Sequence, residues 1–292
     1  MFHRSIVRAS SLFVVLILGT TAAKADDGLI RHLNNHLEGS LGAEHLSYRE
    51  LNDDTTQASV GGTDLDTENG TLVAGGFSAA WQGRLGAVDR VRAGFDVHVA
   101  AGDAHYNGYE QDLQTGALTP LTATTEETFA DLQLKAGKGF ELWTNRDLLT
   151  PYFSLGFTAW NRDLSSAPGG YTEDYEHFFW KFGLEYQIEV ATRWVADIDA
   201  SYGRTFSASM TSSDVPPTFD LGSTPIQRYS LGLRYLATRK FYVGADVYWM
   251  HYGYGESPEY TVTFENGDGA VFEPTSRTTR DGLLFVAGWA YR

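Results

Sequence analysis

From about residue 36 to the C-terminus the sequence repeats one pattern. Apolar and polar residues alternate strictly, in ten stretches of about 11–15 residues. A period of two puts the two sets on opposite faces of a β-strand. Residues 90–101 show it most clearly. Val91, Ala93, Phe95, Val97, Val99 and Ala101 form one face, while Arg90, Arg92, Asp96 and His98 mark the other. The pattern returns at 71–83, 127–140, 149–162, 175–188, 194–206, 226–235, 241–252 and 281–291. The first stretch, 36–49, is weaker. Leu37, Gly39, Leu41 and Ala43 alternate, and the phase then shifts at Leu46 and Tyr48, which predicts a bulge there. No stretch carries a sustained helical period, so the chain is expected to be all-β.

The length of the stretches narrows the choice further. Strands of soluble sheets usually run about 5–6 residues, whereas a strand crossing a bilayer needs roughly 9–11. The connections near 84–89, 141–148, 189–193 and 236–240 are short. Those near 50–70, 105–126, 164–173, 207–225 and 255–276 are long and polar. Short turns at one end and long loops at the other are the plan of a transmembrane barrel. Trp81, Tyr186, Trp194, Tyr235, Phe241, Trp289 and Tyr291 fall on the apolar face beside short turns or the C-terminus, where a periplasmic aromatic girdle would lie. On the polar face Arg90, Arg92, Lys135, Lys181, Arg228 and Arg234 oppose Asp96, Asp131, Glu185, Asp197, Asp199 and Asp246, with His98 among them. Buried charges must be paired, so these predict a lumenal charge network. The expected fold is a ten-stranded antiparallel up-and-down transmembrane β-barrel, with eight or twelve strands as alternative counts. It must close, because an unpaired sheet edge in hydrocarbon costs several kcal/mol per group. Inward Tyr152, Trp160, Tyr242 and Tyr248 would help fill the lumen. Wide aqueous channels need about 16 strands or more.

Residues 1–25 read as a secretory signal peptide. Arg4 and Arg8 precede the apolar run 12–18, and Ala23-Lys24-Ala25 fits a cleavage site, leaving 26–292 as one barrel domain. Thirty-seven acids against 22 bases give a net charge of −15, which argues against nucleic acid as a partner. Cysteine is absent, so disulfides and thiolate chemistry are excluded. No cofactor is implied.

Pro151-Tyr152, Leu155-Gly156, Trp160, Arg162-Asp163, Gly170-Tyr171, Glu173 and Tyr175 form an arrangement that resembles the small Gram-negative outer-membrane β-barrel proteins, a porin-like and largely uncharacterised group. The resemblance implies residence in the bacterial outer membrane and assembly by the barrel-insertion machinery. It implies no shared active site. Chains of this group usually end in an aromatic residue; here Tyr291 is followed by Arg292.

Three candidate sites stand out. Asp96-x-His98 and Asp197-x-Asp199 point to the same side of the wall, and the omptin proteases are similar in pairing Asp-Asp with Asp-His. The order is reversed here and Asp197 lies near a periplasmic turn, so a lumenal ion network is the favoured reading. Asp64-x-Asp66-x-Glu68 resembles a calcium loop, but its glycine, Gly70, falls late, so a solvated acidic loop is preferred to a metal site. Such acidic outer loops could share divalent ions with lipopolysaccharide phosphates. Residues 260–272 read as a hairpin around Asn266-Gly267 and Asp268-Gly269 that extends the last two strands outward, a stiff loop in the favoured reading and an edge for an extracellular ligand in the alternative. Tyr106, Tyr109, Tyr171, Tyr175, Tyr252, Tyr254 and Tyr260 are expected to form the outer aromatic ring. His45, His177 and His251 lack ligand spacing. The functional expectation is a non-enzymatic surface barrel in contact with outer-membrane lipid and lipopolysaccharide. A narrow channel and an omptin-like hydrolase are the alternatives.

Overall fold

The computed structural model describes residues 28–52, 64–111, 118–143, 146–167, 169–264 and 267–291. The expected signal segment, 1–25, lies outside them. A short helix, α1 (Leu29–Leu33), precedes β1 (His36–Leu51), β2 (Asp64–Leu85), β3 (Val88–Gln111), β4 (Leu118–Lys138), β5 (Asp147–Asp163), β6 (Thr172–Ala191) and β7 (Trp194–Ser212). Then come β8 (Thr218–Leu221), β9 (Pro225–Leu236), β10 (Phe241–Tyr254), β11 (Tyr260–Phe264), β12 (Gly267–Val271) and β13 (Ser276–Ala290). Ten of these, β1 to β7 with β9, β10 and β13, form one closed antiparallel barrel. The first and last strands seal it, in register from His36 opposite Ala290 to Glu50 opposite Ser276. The fold is the expected ten-stranded up-and-down barrel. The extra strands sit above it: β8 pairs with the top of β7, and β11 and β12 form their own hairpin.

The strands outrun the alternating stretches. Much of 105–126, expected as a loop, is the continued pairing of β3 with β4 up to Gln111 opposite Leu118. The outward face explains why. Low on the barrel it is apolar, with Leu41 65%, Val73 68% and Phe285 64% exposed. Above His45, Thr71, Asp103, Thr128, Glu176 and Asp281 it turns polar. The inward face changes in the opposite sense. Charged side chains line it below, while Leu46, Tyr48, Leu72, Ala104, Phe129 and Trp160 form a buried core above. The lower wall is built for lipid and the upper wall for water.

This switch corrects the expected bulge in the first strand. The register of β1 with both neighbours is unbroken from His36 to Glu50, and the one irregularity falls at Glu50/Leu51. Leu46 and Tyr48 keep the alternation and face inward; what changes is the solvent outside. The same switch corrects the outer aromatic ring. Tyr106, Tyr175, Tyr252 and Tyr254 are buried inside the upper barrel.

Inward glycines make room for inward rings. Tyr152 lies directly opposite Gly183, and Tyr242 opposite Gly288. A Cβ on either glycine would meet the facing ring at 2.2 Å. Phe179 opposite Gly156 repeats the arrangement.

Candidate functional site

The residues that precede the barrel fold across its lower end. Ile30 and Leu33 of α1 pack with Leu148, Val195 and Tyr242. The chain then crosses the barrel mouth. Asn34 Nδ2 donates to Gln187 Oε1 at 2.7 Å, and Gln187 Nε2 returns a bond to Asn34 Oδ1 at 3.0 Å. Asn35 Oδ1 accepts from the Gln82 amide at 3.0 Å. Since β6 is five strands from β1 in either direction around the barrel, the Asn34–Gln187 pair spans its diameter. Leu29, Ile30 and Leu33 fit one helical face, the one signal in the sequence that could have revealed this floor.

Above the floor lies a cavity of about 240 Å³. Arg92 pairs with Glu185, and Lys135 Nζ lies 3.1 Å from Asp96. Arg234 binds Asp246 through two nitrogens at 2.6 and 2.9 Å, reaches Glu38 at 3.0 Å and lies 3.8 Å from Asp197. Gly232 sits between those two aspartates, where a Cβ would come within 2.4 Å of Asp197 and 2.5 Å of Asp246. Arg280 joins Glu44 at 2.6 Å to Asp131 at 2.9 Å. His98 Nε2 donates to Glu44 at 2.9 Å, and Tyr248 donates to the same carboxylate. Tyr152 donates to Asp199 at 2.9 Å. Lys181 donates to Gln133 at 3.1 Å, and Arg228 lies over the Tyr248 ring at 5.1 Å.

Of the expected network, Arg90 stands apart. It lies at the lower start of β3, with φ 56°, and pairs with Glu141 beyond the end of β4. Glu38, Glu44 and Arg280 were missed by sequence reasoning. Arg280 shares parity with inward Leu284 and Val286, so extending the last stretch upward would have found it. The four residues of the hydrolytic alternative all line this cavity, and each has a partner of its own. Asp96 engages Lys135, His98 engages Glu44, Asp197 lies by Arg234, and Asp199 accepts from Tyr152.

The girdle residues lie at the short-turn end. Trp194 stacks against Tyr235 with centroids 4.8 Å apart, Phe241 is paired with Trp289, and Tyr186 meets Trp143 edge-on. Trp81 is half-buried on β2, and the Tyr291 hydroxyl donates to the Ala80 carbonyl at 2.5 Å.

Beyond the Phe179, Met250, Arg280 and Leu284 side chains that line the cavity, stacked rings fill the upper barrel. Phe129 and Trp160 lie 5.1 Å apart, Trp160 and Tyr175 4.9 Å, Tyr175 and Tyr254 5.0 Å, and Tyr48 meets Trp160 at 5.0 Å. On this roof rests a cap of buried charge, above the apolar belt. Arg162 donates to Glu68 twice at 3.1 Å, to Glu50 at 3.4 Å, to Asp66 at 3.5 Å and to Glu173. Trp160 Nε1 donates to Glu127 at 2.6 Å. The Tyr175 hydroxyl donates to Glu273 at 2.6 Å and lies 3.2 Å from Glu173. Burial, with Glu50 and Glu68 nearby, pushes the Glu173 carboxyl up to about 7 against the pull of Arg162. Burial and neighbouring carboxylates also hold Asp66, Glu127 and Glu273 well above the usual range.

The cap corrects the acidic-loop expectation. Asp64, Asp66 and Glu68 lie on β2, with Asp66 and Glu68 buried against Arg162 and Asp64 3.9 Å from Arg49. Among the described residues no group of three or more His, Asp or Glu has the geometry to hold a metal ion. Arg162 and Glu173 stood in the sequence arrangement that carried the family resemblance, but their partners on β1, β2 and the last loop could not be matched to them without the register.

Comparison with solved structures places the fold. The outer membrane protease OmpT from Escherichia coli superposes with a TM-score of 0.55 at 10% identity, over 88% of this chain and 97% of that one. The translocator domain of the autotransporter NalP from Neisseria meningitidis gives 0.33 at 11% identity, over 88% and 89%. The P. putida toluene transporter TodX gives 0.31 at 12% identity, over 90% and 92%. Only the first of these three exceeds 0.5, and at its identity it shows a shared fold, that of an outer-membrane β-barrel. No protein-family model matches the sequence, and no curated protein does.

Proposed function

We propose that this protein is a non-conducting, non-enzymatic barrel of the bacterial outer membrane, whose lumen is a sealed chamber and whose working surface is the cap. The observation that supports this reading is the side chains set across the barrel at both ends: the Asn34–Gln187 pair below and the stacked rings around Trp160 above. Such a wall holds ion pairs in place, and the side chains at the two ends stand across the path a solute would take. The candidate hydrolytic side chains are each committed to a different partner inside it, which supports a structural role for them.

The outer wall supports contact with anionic glycolipid. Arg49 and Arg277 are direct cross-strand partners on β1 and β13, both exposed. Like charges directly opposite destabilise a sheet unless an anion lies near them, and Asp64, 3.9 Å from Arg49, offsets one of the two. His251 lies beside them, its basicity lowered by partial burial and then by Arg277 and Arg49. Below it Trp249 stacks on both His251 and Tyr229, at the height where interfacial aromatics sit. Lipopolysaccharide phosphates fit this column.

Planar-bilayer recording tests the main reading. Wild type is expected to be silent. Ile30→Asp with Leu33→Asp opens the floor and stays silent, and adding Phe129→Ala with Trp160→Ala gives steady conductance. Discrete openings of the wild type would overturn the reading.

A further inference from the structure

Six buried or nearly buried carboxylates surround one guanidinium in the cap. The wall contributes Glu50 from β1, Asp66 and Glu68 from β2, Glu127 from β4 and Glu173 from β6. Glu273 comes from the loop that carries the β11–β12 hairpin. Arg162 of β5 is the cation among them. The other titratable groups facing the cluster are the phenols of Tyr48, Tyr106, Tyr171 and Tyr175, all held protonated by burial and by these acids.

The donors do not suffice for six anions. Arg162 spreads its N–H groups over Glu68, Glu50, Asp66, Glu173 and the Tyr175 hydroxyl but bonds neither Glu127 nor Glu273, while Tyr48 donates to Glu50 and Thr125 to Glu68, each at 2.8 Å. Glu127 receives the Trp160 indole and Glu273 the Tyr175 hydroxyl. Asp66 Oδ1 and Glu127 Oε1 are buried with no partner at all. Carboxylates sharing a site of low dielectric cannot all ionise, and a protonated carboxyl supplies the missing donor.

Glu273 connects this cluster to the loop above it. Its amide donates to Ser257 Oγ at 2.8 Å, and the Ser257 amide donates to its carbonyl at 3.0 Å. The loop also meets β8 through reciprocal Gly222–Gly255 bonds and the Asp220 amide, which donates to the Tyr260 hydroxyl at 3.1 Å. The Tyr175 hydroxyl stands between Glu173 and Glu273 with one proton to give.

We propose that the carboxyl cluster is a proton-loaded latch, which holds segments 255–264 and 267–275 down on the aromatic roof and releases them as the external medium turns alkaline. With one of the two acids protonated, Glu173, Tyr175 and Glu273 form a bonded chain. With both ionised, two negative charges face each other across a single hydroxyl, and the loop residue is the one free to leave. The sign follows from the raised carboxyls. Exposed glutamates titrate near 4.3, so closure is most favoured below that value. It is lost as pH rises through the closed-state values, about 7 for Glu173 and raised well above the ordinary carboxylate range for Asp66, Glu127 and Glu273.

The proposal builds on the cap as working surface, yet its test does not depend on whether the lumen conducts. The chain has no cysteine, so nitroxide labels at Ser165→Cys and Glu259→Cys, both exposed, report loop position without background. Pulsed EPR of the full barrel in lipid vesicles should give one short distance at pH 5. A longer component should grow above about pH 7, by up to about tenfold per pH unit for each proton released, and reverse on acidification. Glu173→Gln with Glu273→Gln should stay short at pH 9. A wild-type distribution unchanged from pH 5 to pH 9 overturns the proposal, as does a double variant that opens like wild type. If the double variant fails to show the gel shift of a folded barrel on unheated samples, Glu273→Gln alone carries the same two outcomes.

Discussion

The chamber and the cap both bury charge, but in different ratios. Around the chamber Arg92, Lys135, Lys181, Arg228, Arg234 and Arg280 face eight acids, and most are joined within 4 Å. In the cap one guanidinium faces six. The chamber lies behind a wall that faces hydrocarbon, where an ionised group must find its counter-charge inside the protein. The cap stands above the apolar belt, next to water, where protons can be taken up and returned. Position relative to the bilayer decides whether side-chain pairing or protonation balances the charge.

Arg162→Met breaks this comparison most severely. It leaves four carboxylates without their shared donor, at a cost of about 3–5 kcal/mol. Urea unfolding in micelles should show the loss, larger at pH 9 than at pH 5, where the raised carboxyls of Asp66 and Glu173 hold their protons. A loss under about 1 kcal/mol would show that protons alone hold the cap. Gly232→Ala sharpens the chamber side. The added methyl pushes Asp197 and Asp246 off Arg234, for about 1–3 kcal/mol by the same assay. Asn34→Ala removes both bonds of the Asn34–Gln187 lock and should cost about 1–2 kcal/mol. Faster hydrogen exchange in residues 29–36, with the barrel amides unchanged, is the expected readout. The smallest effect on stability belongs to Arg49→Ala with Arg277→Ala. Relieving like charges changes stability in micelles by no more than about 1 kcal/mol. Binding of phosphorylated lipid A, measured against its dephosphorylated form, should weaken at least tenfold. Equal affinity of variant and wild type would remove the glycolipid contact.

The lipid-facing half was legible because a single chemical contrast, apolar out and charged in, accompanies each alternation. Strand number, direction and closure all followed from it. The upper half kept the period and reversed the contrast. Leu46 and Tyr48 therefore looked like a fault in the first strand, and Tyr175 and Tyr254 like an outer ring, when all four build an ordinary apolar interior. The cap was hidden for another reason. Arg162 meets partners 94 to 112 residues away in sequence, and only strand register brings them together. The floor was overlooked because a five-residue helix gives almost no periodic signal.

The reversal of contrast happens at one height around the wall, just above Ala43 on β1, Val73 on β2 and Leu283 on β13. Those residues work as a waterline. They fix how deep the cylinder floats, with an apolar hull of about 25 Å below. Repainting that line by two residues on every strand would make the molecule ride higher or lower, carrying its acidic mouth with it.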